Sequence, residues 1–187
     1  MPRHAKHYGA VSIFLHWTIG IGVLAVGLTE LLRGELSARG SAMRETLKAI
    51  HEPAGLILFA LIVVRVVWRL THRVPGMPEG MRAWETVAAR ATHGLLYALL
   101  VAVPLLGLAT TAARGRPIDF GLFQIAVPMA GGATRDTARL LKNIHEIAGQ
   151  LILALAGLHA AAALWHHYVR LDDVLTRMLP RLRRVSE

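Results

Sequence analysis

Apolar residues with almost no formal charge fill four stretches of the chain, at about 8–29, 50–67, 91–113 and 147–165. None carries the polar stripe of an amphipathic soluble helix, and each approaches the roughly 20 residues a helix needs to cross a hydrocarbon core. We read them as four membrane spans. The first is too long for a signal-peptide core and no small-x-small cleavage pattern follows it, so it is expected to stay in the protein. The second is interrupted by Arg65, whose head can snorkel to the membrane edge beside Trp68 and Arg69. The third is uncharged apart from His93 and is expected to kink at Pro104. The fourth is uncharged apart from His159.

Polar connections at 33–48, 71–90 and 114–142 separate the spans. Pro75, Gly76, Pro78 and Gly80 mark the second connection as loop, and Gly131-Gly132 breaks the third. The pattern predicts an all-α integral membrane protein, one domain over 1–187 built as a four-helix bundle. Four crossings put both termini on one side. The tails and the 65–90 connection hold twelve Lys/Arg and five acids, against nine and seven elsewhere. The positive-inside rule therefore places the termini in the cytoplasm. On the same ground the net charge of +9 reflects topology rather than nucleic-acid binding.

Composition narrows the chemistry. A chain that is 54% apolar and has a mean hydropathy of +0.45 fits the bilayer as solvent. The lack of cysteine excludes disulfides, thiolate zinc, cysteine-ligated iron–sulfur clusters and thioether-attached haem. Ten histidines remain. Those inside spans are functional candidates, because an unpaired polar ring in hydrocarbon is costly.

His16 lies early in helix 1, His51 opens helix 2, and His145 and His159 share helix 4. The last two are 14 residues apart, which puts them on nearly one face and about 21 Å apart along the axis. Depth then pairs His16 with His159 at the inner side and His51 with His145 at the outer side. Two facing imidazoles without a thiolate or carboxylate suit axial ligation of haem iron better than tetrahedral zinc. Gly20, Gly55 and Gly149 each follow a histidine by one turn and leave room for a flat macrocycle. The segments Ile50-His51-Glu52-Pro53-Ala54-Gly55 and Ile144-His145-Glu146-Ile147-Ala148-Gly149 nearly repeat one another. Ala160 to Ala163 give the same clearance after His159. His93, one turn into helix 3, is a candidate haem-propionate or quinone contact and a substitute ligand for the inner haem. His166, seven residues beyond His159, aims into the interior and is the candidate hydrogen-bond donor to a small ligand, whereas His167 turns away. His4, His7 and His72 are read as solvent-facing. Trp17, Trp68, Trp84 and Trp165 are read as anchors or core with no redox role.

These residues resemble a family, the bacterial diheme cytochrome b-561 proteins, and within it the superoxide oxidases. The match lies in Ser12-Ile13-Phe14-Leu15-His16-Trp17, the Ile50-His51 element, Tyr97 through Pro104 to Gly107-Leu108, and the Arg114-Gly115-x-Pro117 loop. It is most specific in His159-Ala160-Ala161-Ala162-Ala163-Leu164-x-His166-His167-Tyr168, followed by Asp172, Leu175-x-Arg177-Met178 and Pro180. The resemblance implies two b haems ligated at His16, His51, His145 and His159, a ubiquinone contact at His166, and a place in the bacterial inner membrane. Pro53 departs from the family pattern and is expected to shift the start of helix 2, and the 71–85 and 118–138 loops diverge.

The implied activity is superoxide:ubiquinone oxidoreduction. Superoxide gives its electron at the outer face to the haem of His51 and His145. The electron passes to the haem of His16 and His159 and then to ubiquinone. Arg114, Arg116, Arg135, Arg139 and Lys142 are the candidates for drawing the anion in. No residue is assigned as an acid–base catalyst. The competing reading is a cytochrome anchor subunit relaying electrons between a partner dehydrogenase or hydrogenase and quinone. A histidine-lined transporter is disfavoured, since intramembrane carboxylates are lacking beyond the edge residues Glu52 and Glu146.

Overall fold

The computed structural model describes residues 8–73, 75–78, 80–128, 131 and 133–179. His4, His7, Gly132 and Pro180 lie outside them. Four helices dominate: α1 (Ala10–Leu31), α2 (Ala42–Thr71), α3 (Ala83–Ala113) and α4 (Arg135–Trp165). Each is long and apolar enough to cross a membrane.

Three of the helices start well before the uncharged stretches, because local caps hold their charged first turns. The Ser41 hydroxyl accepts the Arg44 N–H at 3.3 Å, and the Thr134 hydroxyl accepts that of Thr137 at 3.2 Å. The Glu85 carboxylate reaches back to the Arg82 N–H at 2.7 Å. Helix α2 runs unbroken through Pro53, so that proline does not mark where it begins. His51 consequently lies inside α2 rather than opening it, and His93 lies about three turns into α3 rather than one.

The helices pack in a ring, α1 on α2, α2 on α3, α3 on α4 and α4 on α1. Small residues set the closest approaches. A methyl group added at Gly22 would stand 2.8 Å from Leu58, and one at Gly27 2.8 Å from Leu153. Phe14, Ile21, Leu24 and Leu28 point outward from α1, as side chains in lipid contact do. The buried apolar core is small and centres on Leu15, Ile19 and Ile62. Between α3 and α4 a short antiparallel hairpin, β1 (Ile118–Asp119) with β2 (Gln124–Ile125), packs against α2 and buries Ile118. At their C-terminal ends α1 and α4 pass into π-helical turns, Leu32–Leu36 and His166–Arg170.

Candidate functional site

The antiparallel ring brings the in-span histidines together in two places. At the end of the bundle that carries both termini, His16 of α1 faces His159 of α4, with ring centres 6.2 Å apart and planes at 83°. At the other end His51 of α2 faces His145 of α4, with ring centres 6.1 Å apart and planes at 89°. Two opposed imidazoles bound to one first-row metal at about 2 Å each place their ring centres about 6 Å apart. Among the described residues no group of three or more His, Cys, Asp or Glu side chains converges as a protein-only metal site requires. Each pair alone supplies two imidazoles, so a metal held there would need further donors from a group such as haem.

The surroundings of His51 and His145, the pair expected at the outer side, fit that group. A cleft, part of it open to solvent, runs along His51 and His145 and is walled by Gly55, Phe59, Pro104 and Gly107. No atom lies within 4 Å of where a Gly55 side chain would begin, whereas a methyl at Gly107 would stand 3.1 Å from the His145 ring. Gly55 keeps the cleft open, and Gly107 seats the histidine. Gly20 and Gly149 also have open space beside them but do not line this cleft.

Backbone carbonyls orient both outer rings. His145 Nδ1 donates to the Val103 carbonyl at 2.9 Å. His51 Nδ1 lies 3.2 Å from the Val26 carbonyl and 3.0 Å from the Thr29 hydroxyl, which itself donates to Val26 at 2.7 Å. A proton held on Nδ1 leaves Nε2 with its lone pair free for a metal.

His16 and His159, the pair expected at the inner side, are supported differently. Arg65 turns toward the first turns of α1. Its guanidinium donates to the Ser12 carbonyl at 3.0 Å and stands 3.4 Å from His16 Nδ1. His93 joins this group, with its ring centre 5.1 Å from that of His159 and its Nδ1 donating to Ala89 at 2.6 Å. A second cleft opens beside the group, lined by Arg65, Arg69, Arg73, His72 and Tyr97. The Arg65 and Arg69 guanidiniums lie 5.9 and 5.2 Å from the centre of the Tyr97 ring.

His166 is buried at the same end, in the π-helical turn after α4. Leu171 then adopts a left-handed conformation, φ 55°, and the reversal returns Asp172 to His166, whose Nδ1 bonds the carboxylate at 2.6 Å. Trp17 ties the segment to α1 by donating to the Met178 carbonyl at 2.6 Å.

The five basic residues singled out for steering separate into two groups. Arg114 and Lys142 line the outer cleft, and Arg116 lies 3.7 Å from Glu52 at its rim. Arg135 and Arg139 do not line it. Arg139 is paired with Asp136 in solvent at 3.3 Å. Sequence reading missed Arg33 and Lys48, which also line the cleft, and Glu30, which pairs with Arg33. Glu146 in turn holds Lys142. The missed signal was depth: Thr29 and Glu30 stand about 20 Å beyond His16 along α1, level with His51.

Comparison with known proteins gives a concordant result. The family described as prokaryotic cytochrome b561 matches residues 7–181. Cytochrome b561 homolog 1 of Escherichia coli (strain K12) is 31% identical over 176 residues, 94% of this chain and 98% of the relative. A protein of Yersinia pestis named probable superoxide oxidase CybB is 32% identical over 179 residues, covering 95% and 98%. Cytochrome b562 of Cereibacter sphaeroides is 32% identical over 180 residues, covering 92% and 94%.

Proposed function

Because the chain belongs to the prokaryotic cytochrome b561 family, whose members bind b-type haem, we propose that it is a two-haem membrane oxidoreductase. It takes electrons from superoxide at one face and delivers them to ubiquinone at the other. The observation that carries this reading is the pair of opposed histidines at each end of one bundle, at 6.2 and 6.1 Å. When bound, the haems supply reversible one-electron exchange with the reactants and with each other.

The protein's own residues do the rest. Val26, Thr29 and Val103 fix the outer rings, and Gly55 and Gly107 shape the slot between them. Arg114 and Lys142 give the mouth of that slot a positive potential that attracts a small anion. His166, held by Asp172, presents its remaining ring nitrogen to a quinone at the inner end. Two superoxide ions yield two oxygen molecules and two electrons, and one ubiquinone takes these with two protons to become ubiquinol. Basic residues concentrated near the termini orient that end to the cytoplasm, in the bacterial inner membrane.

The test is to mix the purified protein with superoxide and ubiquinone and to follow oxygen and ubiquinol. One ubiquinol should form for every two superoxide ions consumed, faster than superoxide decays alone. If no ubiquinol forms until a partner dehydrogenase is added, the chain is a relay subunit instead.

A further inference from the structure

The two ends of the bundle differ in charge. At the outer cleft the cations Arg33, Lys48, Arg114 and Lys142 are offset by Glu30, Glu52 and Glu146, four charges against three. At the inner cleft Arg65, Arg69 and Arg73 follow one another at every fourth position of the chain, and no carboxylate occurs among the described residues that line it. Among the described residues, the inner-end carboxylates Glu85, Asp172 and Asp173 are held elsewhere, by Arg170, His166 and Arg177.

The rings differ in the same sense. Each outer histidine gives its Nδ1 proton to a backbone carbonyl, which pushes electron density into the ring and favours the more positive, oxidised metal. His16 instead faces a guanidinium at 3.4 Å, which favours the state carrying one more electron.

We infer that the Arg65 guanidinium, with Arg69 and Arg73 behind it, sets the reduction potential of the inner centre above that of the outer one and so fixes the direction of electron flow toward the quinone end. Arg65 acts here as a positioning residue through its field at His16. The cleft's arginines are the means by which a nearly symmetric pair of histidine sites becomes a one-way path. The inference rests on the two-haem reading above.

The experiment is a spectroelectrochemical titration of the purified, haem-loaded protein. Wild type should show two one-electron components. Arg65→Gln should lower the upper component, by about 59 mV for a tenfold change in its reduced-to-oxidised ratio, and leave the lower one in place. Arg65→Lys, which keeps the charge, should retain the wild-type value, an outcome that a purely structural role would not give. Arg69→Gln, at an exposed position, should move the same component less, because solvent screens it, and it carries the test if Arg65→Gln does not fold. His145→Ala should leave only the upper component. The inference is overturned if the arginine variants move the lower component or neither, or if His145→Ala leaves the lower one. A single component in wild type would overturn the two-haem reading and this inference with it.

Discussion

Thr29 shows how much a single hydroxyl contributes at the outer site. It lies 3.0 Å from His51 Nδ1 and donates to the Val26 carbonyl that the ring also uses, so the ring's orientation depends on both. Removing an outer partner of a metal-bound histidine costs roughly 10–100-fold in affinity. Thr29→Val should therefore weaken outer haem binding about tenfold and leave the inner haem in place, as measured by haem retained on dilution. His93 supplies the complementary case. It lies against His159 but turns its Nδ1 to its own helix, so His93→Ala should keep both haems and shift the spectrum of the inner one. Loss of the inner haem from His93→Ala, with retention in His16→Ala, would exchange their roles.

Helix packing puts these residues in place, and the glycines divide by what they face. Gly55→Leu projects a side chain into the open cleft and should exclude the outer haem while the protein still inserts and folds. Gly22→Leu, which meets Leu58 at 2.8 Å from its first carbon, should instead lower the thermal midpoint with the outer haem content unchanged. Overpacking at such a contact costs about 1–3 kcal/mol. The four helices and their pairing by depth were legible in the sequence because charge-free length and the spacing of His145 and His159 are one-dimensional signals. Helix starts were not read correctly, since the charged first turns of α2, α3 and α4 stand outside the uncharged stretches. Ser41 and Thr134 held the capping signal that would have extended two of them. The partners of Arg65 were not legible, because the sequence does not say which helix a snorkelling arginine's head meets. Only the packing of α2 against α1 brings its guanidinium to Ser12 and His16. The bond between His166 and Asp172 was likewise invisible, as it depends on a left-handed turn at Leu171 that no glycine announces.

At the scale of the whole molecule, two similar sites stand at opposite faces in unlike electrostatic settings, the arrangement a directional electron path needs. Cations at the outer mouth are largely offset by Glu30, Glu52 and Glu146, so steering of superoxide should lie near the low end of the usual range, about tenfold. Arg114→Glu combined with Lys142→Glu changes the cleft from one net positive to three net negative charges, so it should slow superoxide-driven reduction by at least that factor and invert its salt dependence. Reduction by ubiquinol, which is neutral, should hardly change. Everything above depends on the two histidine pairs each holding one haem. The direct measurement is the haem-to-protein ratio, by pyridine haemochrome absorbance, in wild type, His145→Ala, His159→Ala and the double variant. The account predicts two haems, one, one and none, with each single variant losing a different spectral component. Two haems retained in either single variant, or both lost from one of them with the fold intact, would contradict it.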